Sequence, residues 1–199
     1  MHLKKSAVVL LCLLLASSWL ACAGDTGSTM DPASEPIVYL KNNIHGTERS
    51  SGGDRSLRAS YANYIGDYPN HAFIPVNTAV RVTRVKSNGI YMTGVADGTE
   101  ITFEYNERNM TGVSAEEYVG YITSPNRVSL NYLSRIDQKG ISDGQAYVGM
   151  SKEGVRMALG YPALHKTPSL QDNTWTYWRN RFATIAVEFD AGGRVKSIR

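Results

Sequence analysis

Cysteine is nearly missing from this chain: among 199 residues only Cys12 and Cys22 carry a thiol, and none follows position 22. The body of the chain therefore has no disulfide, no thiolate nucleophile and no Cys-based zinc site. Long apolar runs are also scarce. The one extended run, Ala7 to Ala21, falls short of the roughly 20 residues that span a bilayer. No Gly-x-Ser-x-Gly occurs, and the pairs Gly52-Gly53 and Gly192-Gly193 lack the Lys and Ser/Thr of a phosphate loop. Strong charge of one sign is absent too, with 21 Lys and Arg against 18 Asp and Glu. Such a balance carries no electrostatic footprint for nucleic acid, so no nucleic-acid partner is expected. Beyond the N-terminal run the histidines are His45, His71 and His165. They share no metal-ligand spacing and read as solvated loop residues, so neither a metal nor another cofactor is expected. Glu116 and Glu117 are adjacent and point apart on a helix, which disfavours an acid/base pair. No catalytic residue emerges, and the expectation is a protein without enzymatic activity.

What is present begins at the N-terminus. Lys4 and Lys5 precede the apolar run, and small Ala21 stands before Cys22. The run has the length of a secretory h-region. This order resembles a bacterial lipoprotein signal. The resemblance implies that residues 1–21 are removed and that Cys22 is acylated as the first mature residue. Ala23, rather than Asp, follows the cysteine. The same resemblance then implies an outer-membrane address, lipid-anchored and facing the periplasm. Residues 22–36 form the lipidated cysteine and a tether: Ala23 to Pro36 (AGDTGSTMDPASEP) has too little apolar surface to fold. Its r.m.s. reach is about 20 Å.

The rest predicts an α+β fold in two modules, residues 37–136 and 137–199. The hydrophobic fraction of 42% and charged fraction of 20% suit a globular chain. Twelve Tyr and three Trp suit contact surfaces or small β-rich cores. Ile37–Ile44 predicts a first strand, His45–Asp54 a polar loop, and Leu57–Ile65 a strand or short helix. Phe73–Val85 reads as β, with Pro75 confined to its edge or entry. Ile90–Ala96 and Thr99–Tyr105 flank Asp97-Gly98, a two-residue hairpin signal. Ile101, Phe103 and Tyr105 alternate onto a core face. These short strands predict a small barrel or curled sheet. Ser114 with Glu117 forms a capping-box pattern, so a short helix runs to about Thr123 and stops before Pro125. Arg127–Ile136 fits either a second short helix or an extended linker.

The last third is the clearest. Ser151 predicts an N-cap, Gly160 a left-handed C-terminal turn with positive φ and Pro162 a stop, with Val155, Ala158 and Leu159 as the buried stripe. Asn173–Asn180, Phe182–Asp190 and Arg194–Ile198 predict three strands, the last pair joined at Gly192-Gly193. The ordered set is Gly149-Met150-Ser151, a helix ending Leu159-Gly160-Tyr161-Pro162, Trp175-Thr176-Tyr177, Val187-Glu188-Phe189, the Gly192-Gly193 turn and a closing Arg194–Ile198. It resembles the SmpA/OmlA (BamE-like) family of small outer-membrane lipoproteins over roughly Gly144 to Arg199. The resemblance implies short helices packed on a three-stranded antiparallel sheet. It also implies a non-enzymatic accessory role, in the best-known members with the machinery that assembles outer-membrane β-barrels. This chain departs from them in carrying a whole module ahead of that domain. Within that module, Ile74 to Val80 and the following hairpin resemble SH3-like β-barrels of bacterial envelope proteins.

One stretch has the composition of a contact site. Trp178, Arg179, Arg181 and Phe182 lie between two predicted strands, and Trp, Arg and Phe together are typical of interface hot spots. Tyr161 and His165 follow the helix in a long loop that could approach the same end. The expected partner is an envelope protein; the alternative is peptidoglycan, held by the SH3-like module.

Overall fold

A computed structural model describes residues 34–66 and 68–199. Cys22, the apolar run before it and the tether up to position 33 lie outside the described residues. The described chain is mixed α and β, mostly strands: a curled sheet followed by a small antiparallel one, with few helices.

The curled sheet contains β1 (Ile37–Leu40), β2 (Ile44–Ser51), β3 (Asp54–Ser60), β4 (His71–Ile74), β5 (Ala79–Lys86), β6 (Gly89–Gly94), β7 (Glu100–Glu104) and the two-residue β8 (Thr123–Ser124). Its order is β4-β2-β3-β7-β6-β5-β1-β8. Neighbours are antiparallel except β3 and β7, which run parallel. The turn between β4 and β5 hydrogen-bonds to the end of β1, Asn77 N–H to Leu40 O at 2.8 Å and Leu40 N–H to Thr78 O at 3.0 Å. The β4 end of the sheet is thus brought round toward β1. Leu40, Ile44, Leu57, Val80, Ile90, Ile101 and Phe103 fill the concave side. Helix α1 (Ala115–Ile122) covers them with Tyr118 and Ile122.

The small sheet, ordered β11-β10-β9, consists of β9 (Thr174–Asn180), β10 (Ala183–Phe189) and β11 (Val195–Ile198). Helices α2 (Arg135–Asp143) and α3 (Lys152–Leu159) contribute to its core, which joins Ile141, Val155 and Leu159 to Trp175, Tyr177, Val187 and Phe189. One carboxylate links the two helices. Asp137 Oδ2 accepts from Ser134 at the start of α2, and Asp137 Oδ1 accepts the Ser151 amide at 2.7 Å at the start of α3. A Cβ on Gly154 would come within 2.1 Å of that carboxylate, so the crossing requires glycine there.

Local signals hold where neighbours alone decide. The Ser114–Glu117 capping box is present, α1 ends at Ile122, and Thr123 is its C-cap. Ser151 caps α3, and Gly160 has φ of 83°. Its ψ of −172° takes it out of the left-handed helical turn that was expected. Other expectations are corrected. Ile37–Ile44 is not one strand, because the extended pairing is interrupted at 41–43, and His45–Asp54 is mainly strand, not loop. Its backbone is paired on both sides, with β3 and β4, which its outward polar side chains conceal. Phe73–Val85 is divided between β4 and β5 by the turn at Pro75–Thr78. The hairpin loop between β6 and β7 spans residues 95–99 rather than two, held by Asp97, which accepts from the Thr99 amide and hydroxyl. Most of Arg127–Ile136 is irregular, and α2 starts only at Arg135 with its own Ser134–Asp137 box.

Candidate functional site

The segment between β1 and β2 carries polar side chains into the interior, where they join the curled sheet to α3. Asn43 is fully buried and fully used. Its Nδ2 donates to Ile141 O at 2.8 Å and Ala158 O at 3.1 Å, and its Oδ1 accepts the Val76 amide at 2.9 Å. His45, also buried, sits 2.7 Å from Ala158 O through Nε2 and 3.1 Å from His71 Nε2 through Nδ1. A carbonyl can only accept, so the His45 proton is on Nε2, and Nδ1 accepts from His71. Burial pushes the His45 pKa down to about 4; the Ala158 hydrogen bond opposes this and the neighbouring His71 adds to it. His45 is thus a neutral structural residue, not the solvated loop histidine expected.

A cleft of about 650 Å³ opens on the outer face of the curled sheet. Its floor is Thr47, Arg58, Ala59, Ser60 and Glu104, one wall is Tyr64 and Tyr68, and the rim is Asn180, Arg181 and Phe182 at the β9–β10 tip. The tip is fastened to the wall segment by Ile65 N–H to Trp178 O at 3.0 Å and Gly66 N–H to Arg179 O at 2.9 Å. A side chain on Gly66 would meet Arg179 O at 2.5 Å, so this close pairing needs glycine. Arg58 Nε donates to Glu104 Oε1 at 2.8 Å, and Arg58 Nη2 bonds the same oxygen. Burial raises the pKa of Tyr64 and Tyr68, which keeps both hydroxyls protonated near neutrality. Phe182 is 87% exposed, with the Arg181 guanidinium 5.5 Å from its ring centre.

The candidate contact residues thus separate. Arg181 and Phe182 meet at the cleft rim. Trp178 is half-buried and Arg179 exposed on the same strand, and both serve the tip through their backbone carbonyls. Tyr161 and His165 do not line this cleft. Tyr161 stacks on Tyr121 of α1 with ring centres 5.5 Å apart, meets Tyr118 edge-on and bonds Arg156 through its hydroxyl at 3.1 Å. It is packing at the seam. The exposed His165 lies beside Asn109 and the Tyr61 ring. Sequence reasoning missed Arg58, Tyr64, Tyr68 and Glu104. The tyrosine cluster at 61–68 and the outward position of Glu104 on β7 were the available signals.

No family model matches this chain, and no curated protein or solved structure matches it either. Among the described residues, no group of three His, Cys, Asp or Glu is placed to hold a metal ion, and no helix is long and apolar enough to cross a membrane. The cleft itself offers aromatic rings, one ion pair and one further cation.

Proposed function

We propose that this chain is a non-catalytic binding protein of the cell envelope, tethered to the outer membrane through acyl chains on Cys22 and facing the periplasm. On this reading the curled sheet corresponds to an SH3-like module and the α2–α3 sheet unit to a BamE-like domain. The protein scaffolds an envelope or outer-membrane assembly partner, which it grips at the cleft rim. The observation that carries the reading is Phe182. A phenylalanine 87% exposed at the tip of a fastened hairpin contributes almost nothing to folding, while aromatic and arginine side chains dominate interface energies. The alternative, peptidoglycan binding, draws on Tyr64 and Tyr68 forming the wall of the same cleft. A photo-reactive amino acid placed at position 182 in cells tests the assignment. Crosslinks to an envelope protein support it; crosslinks only to sacculus material favour the alternative; and no crosslink from 182, with the probe active at a control position, overturns the envelope role.

A further inference from the structure

We infer that the cleft under the β9–β10 tip takes an extended peptide segment of a partner protein, one in which an aromatic or large aliphatic side chain stands next to an aspartate or glutamate. This rests on the cleft being the contact site. Much of the hydrogen-bonding capacity of its walls is already in use. Arg58 Nε and Nη2 share Glu104 Oε1, Nε at 2.8 Å, and the Tyr68 hydroxyl donates to Tyr64 O at 3.1 Å. Asn180 Oδ1 accepts the amides of Phe182 and Ala183 at 2.9 and 3.0 Å. A sugar chain, which needs a partner for each hydroxyl it buries, would compete with these bonds.

The walls also leave open ring surface on Tyr64 and Phe182, and one cation. Arg181 makes no ion pair among the described residues; its guanidinium lies 5.5 Å from the Phe182 ring centre and acts electrostatically on the Tyr64 hydroxyl. Glu104 balances Arg58, so among the described lining residues the net charge belongs to Arg181. An apolar side chain seated against Tyr64 and Phe182, with a carboxylate reaching Arg181, uses both features. The Arg–carboxylate contact is of the strong, charge-assisted kind. A volume of about 650 Å³ accommodates a few side chains, not a folded surface. The ligand is therefore a short linear segment.

The test is selection of a random heptapeptide phage library on the detergent-solubilised full chain. Enriched peptides should pair Phe, Trp, Tyr or Leu with Asp or Glu within two positions. A synthetic copy of the leading peptide should lose about thirtyfold or more in affinity to Phe182→Ala. Arg181→Glu should redirect selection toward Lys and Arg, while Arg181→Lys keeps the acidic preference. Both residues are solvent-exposed, so the variants should melt with the wild type. Absence of acidic enrichment, or a preference unmoved by Arg181→Glu, overturns the inference. So does an oligosaccharide array binding in preference to peptides. If selection fails while the crosslink from position 182 forms in cells, the ligand class is wrong and the site stands. If selection succeeds and no crosslink forms, the peptide site stands and the envelope role falls.

Discussion

Acidification should weaken this fold through His45, and the size of the effect follows from its surroundings. In the unfolded chain an imidazole titrates near 6.5. In the folded protein, burial on β2 holds His45 at about 4. Above the unfolded value both states are neutral and the group's contribution is complete. Between about 6.5 and 4 the unfolded chain gains a proton that the native state refuses, so stability falls with pH. Below about 4 both states are protonated and the loss levels off. A gap of about 2.5 pH units at about 1.4 kcal/mol each gives a total loss of about 3–4 kcal/mol, most of it between pH 6.5 and 4. The neighbours agree with this sign. His71 donates to His45 Nδ1 and would have to release that bond when Nδ1 is protonated. Phe73 packs beside the ring and Tyr68 meets His71 edge-on, so neither supplies a compensating carboxylate. Asp143 shares a small pocket with His71 and Phe73, but it is exposed and held by Lys139 and Tyr147. Urea unfolding of wild type and His45→Gln at pH values from 7.5 to 3.5 measures the effect. Gln keeps a donor for Ala158 O but cannot titrate, so the variant is less stable at neutrality yet loses less on acidification. The two stability curves should converge by about 3 kcal/mol between pH 6.5 and 4. Parallel curves through that window would refute the buried neutral imidazole.

The remaining expectations concern packing, attachment and anchorage. Leu159→Ala, at a site 1% exposed in the α3 core, should cost about 2–5 kcal/mol, and Gly160→Val should strain a backbone with φ of 83° by roughly 1–2 kcal/mol or more. Thermal melts as stable as wild type would remove that account of α3. Gly66→Ala should push the β9–β10 tip off the wall segment at a cost of about 1–3 kcal/mol, detectable as faster amide exchange at Ile65 and Gly66. Cys22→Ala should abolish acylation and leave unprocessed or mislocalised protein. Wild-type protein that is wholly soluble, with no lipid mass on Cys22, would refute the anchor.

The sequence by itself determined what depends on a few neighbouring residues. The Ser114–Glu117 box, the Ser151 cap, the positive φ at Gly160 and the buried face of Ile101, Phe103 and Tyr105 are settled by local stereochemistry and a two-residue period. The three C-terminal strands were legible for the same reason. Tertiary structure alone decided the rest. β2 is a strand because β3 and β4 pair with it from both sides, and its polar outward residues carry no sign of those partners. His45 is buried because α3 brings Ala158 O to its ring. Asn43 is tied to α2 and α3 from 98 and 115 residues away. The cleft draws on positions 47, 58, 64, 104 and 181, joined by a parallel β3–β7 pairing and a hairpin fastened at Gly66. Side chains so distant along the chain share no period and no motif. Their proximity is a product of long-range backbone hydrogen bonding and core closure, which pattern along the chain does not encode locally.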